Sequence, residues 1–159
     1  MVDINVSTVI NRSVADVFAY VANFENHPRW ETDFLEVKRI RAEPGGMGTT
    51  YQCMLKFPGQ TVASKFRITD YDLNHKIAFV GEPAGPATPK GSYLFEATEG
   101  GTKISSQPRP EFRGFFRLLE PLMVGYIRKN NVDHLNNLKR LLEGDLTSSE
   151  SGSLYHERT

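Results

Sequence analysis

The sequence predicts an α+β fold in which a curved antiparallel sheet of about seven strands wraps around one long C-terminal helix. Two short helices are expected after the first strand. Three observations lead to this prediction. Residues 33–108 form short alternating segments separated by turn signals, which leaves no room for crossover helices. Residues 112–143 instead repeat apolar side chains at helical spacing. The chain has 159 residues, the size of one domain, and no linker divides it.

The first elements are a strand and two short helices. Residues 2–10 alternate apolar and polar side chains, the pattern of a half-buried strand. Ser13 is a favourable N-cap, and apolar residues then recur at helical spacing, so a helix is expected over 14–23. Pro28 suits the first position of a second short turn of helix within 24–30.

The middle of the chain is predicted to be an antiparallel meander. Glycine, proline and asparagine mark the turns between its strands. The segment 82–89 contains three prolines and is predicted to be a loop, because proline cannot donate to a central strand ladder. The predicted strands cover residues 34–41, 49–57, 61–71, 77–81, 91–97 and 102–107.

The last element is a helix over Phe112–Glu143, in which Pro121 predicts a kink or a restart. At 1.5 Å per residue such a helix is roughly 45 Å long, enough to cross the sheet. Beyond Glu143 the sequence turns polar, so residues 1–143 are expected to form one domain and residues 144–159 a mobile polar tail.

Composition excludes several classes of protein. The 19 Lys and Arg residues balance 19 Asp and Glu, which disfavours nucleic-acid binding because that needs a cationic face. One cysteine excludes an intrachain disulfide framework and a cysteine-cluster metal site. We see no secretory signal at the start and no apolar window of about 18 residues, so a cytoplasmic protein without stable membrane insertion is expected.

Two stretches of the sequence resemble a known superfamily. Ser7–Lys38, with its run Ser13–Phe18 and the motif His27-Pro28-Arg29-Trp30, resembles the opening of the START-like (SRPBCC) superfamily of polyketide cyclase/dehydrase and lipid-transport type. Residues 133–143 are similar to that superfamily's final helix. The resemblance implies the helix-grip fold, with a deep cavity between sheet and helix. Members carry lipids, plant hormones or polyketides, and a minority catalyse ring closure and dehydration.

In such a fold one face of each strand and one face of the helix line the interior. An aromatic wall with a few polar groups suits a flat or lipid-like ligand. The alternative is that these side chains simply fill a core. The candidate ligand-binding residues are Tyr51, Cys53, Phe66, Phe79, Tyr93 and Phe95 on strands, and Phe116, Leu119, Met123, Ile127 and Asn131 on the helix.

Few polar residues are candidates for chemistry. Asn131 points into the apolar stripe, where its amide needs a partner from a ligand, a water or the backbone. Glu120, Tyr51 and Tyr93 are the catalytic candidates. Burial would raise the pKa of the Glu120 carboxyl toward general-acid use. His134 is expected to be a solvated histidine on the flank of the helix.

The sequence therefore favours a protein that binds or transports an apolar or aromatic small molecule, lipid-like or polyketide-like. An enzyme of the cyclase/dehydratase type that uses acid and base residues of the pocket is the alternative. A protein-binding adaptor is a third possibility and would need an exposed apolar patch. No histidine pair has the spacing of a metal site and no nucleotide-binding glycine pattern occurs, so we expect neither metal nor cofactor.

Overall fold

The computed structural model describes residues 2–57 and 59–150, except for the side chains of residues 145–150. Its main element is the expected seven-stranded antiparallel sheet, with the order β1-β8-β7-β5-β4-β3-β2. A pair of two-residue strands, β6 and β9, forms a second small sheet. The strands are β1 (Val6–Ile10), β2 (Phe34–Arg41), β3 (Thr50–Phe57), β4 (Gln60–Asp72), β5 (Lys76–Gly81), β6 (Ala87–Thr88), β7 (Lys90–Thr98), β8 (Gly101–Pro108) and β9 (Glu111–Phe112).

Two short helices follow β1, as the sequence predicted. The first, α1 (Val14–Ala22), is capped by Ser13, whose hydroxyl accepts a hydrogen bond from the Asp16 backbone N–H at 3.2 Å. The second is a 3-10 helix at Phe24–Arg29, which begins before the predicted start at Pro28 because the Asn23 side chain caps its first turn; Pro28 lies inside the helix. It ends next to Trp30, which is buried.

The long C-terminal helix α2 (Glu120–Glu150) begins later and ends later than its periodicity suggested. Pro121 lies in its first turn, where the missing N–H costs no hydrogen bond, so the proline restarts the helix. A separate 3-10 helix at Gly114–Arg117 precedes it. Residues 144–150, expected to belong to a tail, continue the helix. Residues 151–159 of that expected tail lie outside the described residues.

The two halves of α2 are buried to different degrees. Leu135, Leu138 and Leu142 of its C-terminal half are buried, and the helix packs there on β1. In its N-terminal half Leu122 and Tyr126 are 76% and 45% exposed. The C-terminal half of α2 therefore packs directly on the core, whereas a cavity separates the N-terminal half from the sheet.

Alternation along the strands places an aromatic core on the helix-facing side. Phe66 stacks on Phe79 with ring centroids 5.4 Å apart, and Phe79 stacks on Tyr93 at 6.0 Å. Phe18 of α1 meets Phe95 edge to face at 5.0 Å. Such pairs stabilise by about 0.5–1.5 kcal/mol beyond their area burial.

The three-proline segment 82–89 is mostly loop, but its end forms β6, which pairs with β9. Ala87 lies opposite Phe112 in that pairing. This short ladder connects the loop to the segment before α2. Within the described residues, we find no helix that is both long and apolar enough to cross a membrane.

Candidate ligand-binding site

A cavity of about 180 Å³ lies between the sheet and the N-terminal half of α2. An engineered apolar cavity of roughly 150 Å³ is large enough to bind benzene, so this one can hold one or two rings. Exposed residues such as Lys90 and Tyr126 border it, which shows that it opens to solvent on that side. Its apolar wall includes Phe34, Phe57, Phe66, Phe79, Met123 and Ile127.

Six of the polar side chains that line the cavity lie close together on one wall. The cavity is also lined by the polar residues Lys56, Lys90, Ser92, Tyr126 and Asn130. Tyr93 of β7 lies opposite Ser106 of β8 in the sheet, and Ser106 donates to Asn131 of α2 at 2.8 Å. His134 lies three residues further along α2, within electrostatic range of Glu31. We call this set the polar cluster; it comprises Glu31, Asp33, Tyr93, Ser106, Asn131 and His134.

Glu31 is the most deeply buried carboxyl of the polar cluster, with 5% of its surface exposed. It follows Trp30 directly and leads into β2, and the Tyr93 hydroxyl donates a hydrogen bond to its Oε1. Burial alone would raise the pKa of Glu31. The charge of His27 and its hydrogen bond, the charge of His134 and the Tyr93 hydrogen bond together hold that pKa below its usual value. Glu31 is therefore a carboxylate at neutral pH.

His27 supports Glu31 from outside the cavity. It is fully buried and stacks on Phe24 with ring centroids 4.0 Å apart. Its Nε2 lies 2.9 Å from the Val21 carbonyl oxygen, so that nitrogen must carry a proton. Its Nδ1 lies 3.4 Å from Glu31 Oε2. This contact is longer than a usual hydrogen bond between charged groups, so the interaction of the two side chains is mainly electrostatic.

A second carboxyl and imidazole pair lies beside the first. His134 Nε2 lies 3.2 Å from the Thr32 hydroxyl and 4.0 Å from Asp33 Oδ2. Burial raises the pKa of Asp33, against the lowering effect of the His134 charge, and the charge of Glu31 raises it further. The structure thus places two carboxyls with opposite pKa shifts on one cavity wall, an arrangement typical of acid–base sites.

Several residues predicted for the site line the cavity. Tyr93 and Asn131 are the polar ones among them, and Asn131 also donates to the Ile127 carbonyl oxygen at 2.9 Å, the backbone partner considered above. The lining residues among the candidates are Phe66, Phe79, Tyr93, Met123, Ile127 and Asn131.

Other candidates lie elsewhere. Tyr51 is buried on β3 and its hydroxyl donates to the Ala22 carbonyl oxygen at 3.5 Å, while Phe95 packs against α1. Phe116 is 40% exposed in the 3-10 helix before α2. Leu119 lies between that 3-10 helix and the start of α2. Glu120 is the first residue of α2. None of these side chains is among the residues that line the cavity in the described part of the chain, and Cys53 is not either.

The expectation for His134 was wrong, because this residue is 5% exposed and lines the cavity instead of facing solvent. Sequence reasoning also missed Glu31 and Asp33, which lie between a helix and a strand where no periodicity reports burial. The spacing of His27 and Glu31, four residues apart around a tryptophan, is the signal that would have found the pair. Among the described residues no group of three or more His, Cys, Asp or Glu side chains is arranged to hold a metal ion.

The seven-stranded sheet and the long C-terminal helix define a helix-grip fold with a cavity between the sheet and that helix. The family model described as polyketide cyclase / dehydrase and lipid transport matches residues 1–143. The chain therefore belongs to that family. A search of curated proteins finds no significant match.

Solved structures share the fold at low sequence identity. A protein from Thermus thermophilus superposes with a TM-score of 0.74 at 16% identity, covering 89% of this chain and 98% of its own. The Zhui aromatase/cyclase from Streptomyces sp. R1128 gives a TM-score of 0.71 at 12% identity, covering 89% of this chain and 93% of its own. The di-domain ARO/CYC StfQ from the steffimycin biosynthetic pathway gives 0.70 at 12% identity, covering 92% of this chain and 52% of StfQ.

Proposed function

We propose that this protein binds one apolar or aromatic small molecule in the cavity between its sheet and the N-terminal half of α2. The observation that supports this most is a cavity with a mostly apolar surface, on one wall of which the side chains of the polar cluster lie together. Binding sites for small molecules have this composition, in which apolar walls give affinity and sparse polar groups give orientation. The family, which includes lipid-transport proteins, supports the same proposal. A cytoplasmic location and an uncharged cargo are further parts of it.

The alternative that the cavity is merely loose packing is less consistent with the polar cluster. A buried carboxylate needs partners to offset its desolvation, and Glu31 has them in His27 and Tyr93, so loose packing alone does not account for a carboxylate on this wall. A ligand that fills the cavity would restore the missing contacts of Phe79, Met123 and Ile127.

Fluorescence titration with a neutral two-ring solvatochromic dye such as Prodan tests the binding proposal. Ile127→Trp should fill the cavity and abolish dye binding, because Ile127 lines it. The matched control is Val132→Trp on the same helix, where the side chain is 40% exposed and outside the lining. Equal dye binding by both variants and the unaltered protein would contradict the proposal.

A second candidate function, a cyclase/dehydratase-type enzyme, is favoured by one specific observation. Two carboxyls, an imidazole and a phenol converge on one wall of the cavity, in Glu31, Asp33, His134 and Tyr93. In such a reaction a carboxylate accepts a proton from the carbon beside a carbonyl, and that carbon's electron pair forms a bond to a second carbonyl carbon. A protonated group then supplies a proton to the resulting alkoxide. The Zhui aromatase/cyclase and the di-domain ARO/CYC StfQ share the fold.

Turnover of poly-β-ketone analogues tests the enzymatic alternative. Glu31→Gln and His134→Asn should each abolish product formation if the polar cluster is catalytic. Glu96→Gln, an exposed carboxyl on β7, is the matched control. Glu120→Gln and Tyr51→Phe test the residues that the sequence suggested, and we expect no loss from either because their side chains do not line the cavity. No product from the unaltered protein would remove this alternative.

A further inference from the structure

The carboxylate of Glu31 gives the buried part of the cavity a specific chemical character. A carboxylate is only an acceptor, with room for about four hydrogen bonds on its two oxygens. One position on Oε1 is taken by Tyr93, and Oε2 faces His27 Nδ1. The residue also lines the cavity, whereas His27 does not. A ligand therefore meets the carboxylate and not the imidazole that compensates it.

Within the protein, this buried carboxylate already accepts a hydrogen bond from a hydroxyl group. Tyr93 is a phenol, and its hydroxyl donates to Glu31 Oε1. Burial raises the pKa of Tyr93 well above its usual value, and the Glu31 charge raises it further, so the phenol stays protonated. A ligand hydroxyl beside Glu31 would face the same conditions. A ligand carboxylate would face charge repulsion at low dielectric.

Resting on the binding function proposed above, we propose that Glu31 makes the buried part of the cavity selective for a neutral hydroxyl group, such as a phenol or an enol, and excludes carboxylates. The ligand class is thus a hydroxylated ring or chain compound and not a free fatty acid.

The other charged or titratable groups around Glu31 do not reverse this selectivity. His134 of α2 faces the Thr32 hydroxyl and Asp33, so its Nε2 is already engaged. Cys53 of β3 stays a neutral thiol because burial raises its pKa to about 12. Lys56 and Lys90 border the cavity but are exposed, so water screens them. The groups that face Glu31 are His27, Tyr93, Cys53 and His134, with Asp33 adjacent.

Three probes of one size and different polar groups test the proposal: 2-naphthol, 2-naphthoate and 2-methylnaphthalene. Their dissociation constants are measured by isothermal titration calorimetry. We expect 2-naphthol to bind about tenfold more tightly than 2-methylnaphthalene, since a hydrogen bond to a charged group has roughly that value. We expect 2-naphthoate to bind at least about tenfold more weakly than 2-naphthol.

Two variants assign the selectivity to the carboxylate. Glu31→Gln should bring the affinities of the three probes to within about threefold of one another. Tyr93→Phe removes a competing donor and should raise the affinity for 2-naphthol, so it tests the proposal even if Glu31→Gln folds poorly. Glu96→Gln on the exposed side of β7 should leave the ratios unchanged. A thermal melt of each variant establishes that it is folded.

The ionisation of bound 2-naphthol gives an independent reading. Its naphtholate absorbance should appear at a higher pH when bound than when free, as for Tyr93, and this shift should shrink in Glu31→Gln. Equal affinity for 2-naphthoate and 2-naphthol would overturn the proposed selectivity, and so would a Glu31→Gln variant with unchanged ratios of the three dissociation constants. If 2-methylnaphthalene still binds in that case, the binding function itself stands. Failure of all three probes to bind would overturn the binding function as well.

Discussion

The buried pair of His27 and Glu31 allows a sharp prediction about stability. Both side chains are removed from water, at 0% and 7% exposure, and the His27 Nδ1 and Glu31 Oε2 atoms are 3.4 Å apart. Removing one partner of a buried pair leaves an uncompensated group and costs about 3–5 kcal/mol, whereas replacing both can be nearly neutral. We therefore expect Glu31→Gln and His27→Phe each to reduce the free energy of unfolding by about that amount.

The double variant separates this mechanism from a simple loss of packing. Phenylalanine at position 27 keeps the stack on Phe24, and glutamine at position 31 keeps an acceptor for the Tyr93 hydroxyl. The double variant should lose less than the two single losses added together, by at least about 2 kcal/mol.

Urea unfolding of the four proteins measures this coupling. The surface pair Lys139 and Glu143, 2.9 Å apart and partly exposed, is the matched control and should couple by only about 0.3–0.5 kcal/mol. Losses at His27 and Glu31 that add to within about 0.5 kcal/mol would refute the electrostatic account of the pair.

Three further outcomes follow from particular residues. Cys53, whose pKa is raised to about 12 by burial, should resist alkylation by iodoacetamide at pH 8 until urea unfolds the chain; rapid labelling of the native protein would contradict this. Burial raises the pKa of Tyr93, so this residue stabilises the fold fully below the ordinary tyrosine pKa of about 10, and that stabilisation is lost as the pH rises further. Alkaline unfolding should therefore shift to higher pH in Tyr93→Phe; an unchanged unfolding pH would contradict this. Gly101→Ala should reduce the free energy of unfolding by about 2 kcal/mol or more, because φ is +125° and a Cβ would lie 2.1 Å from the Ile10 carbonyl oxygen. Gly100→Ala is the control, since a Cβ there would lie 3.6 Å from its nearest atom. Equal destabilisation of the two variants in thermal melts would argue against the steric reason.

Acid should weaken the fold through Glu31. Its pKa is lowered in the folded state, so the stability it contributes is present above the unfolded carboxyl value of about 4.3 and is lost as pH falls through the folded value. The raised pKa of Asp33 acts in the opposite direction, because its contribution is present at low pH and declines as pH rises. The free energies of unfolding of Glu31→Gln and Asp33→Asn, measured at several pH values, give the contributions of the two carboxyl groups. If Glu31→Gln loses stability in acid as much as the unaltered protein does, the contribution assigned to Glu31 is contradicted.

The fold could be read largely from local pattern. Alternation at Tyr51, Cys53 and Leu55 predicted both the strand and its buried face, and all three side chains are buried. Ser13 marked the start of α1 through its side-chain hydroxyl, and Pro121, which predicted a kink or a restart, lies in the first turn of α2. The two-residue strands β6 and β9 are too short to show any periodicity, so their pairing could not be predicted.

The candidate site was less predictable, because tertiary contacts decide it. Periodicity found Phe66, Phe79 and Ile127, which lie on regular elements. It could not distinguish the part of the inner sheet face that lines the cavity from the part that packs on α1, and so it also selected Phe95, which lies on the same face of β7 as Tyr93. Glu31 lies in an irregular segment, and its partner Tyr93 is 62 residues away in sequence. Only the folded chain brings the two together.

Native mass spectrometry of the protein purified from its host, followed by solvent extraction, tests the central claim most directly. The cavity between the sheet and α2 predicts one bound small molecule that is released on extraction, absent from Ile127→Trp and retained by Val132→Trp. A hydroxyl group on that molecule would agree with the selectivity proposed for Glu31. The bare protein mass in every preparation, with no probe bound by the purified chain, would contradict the claim.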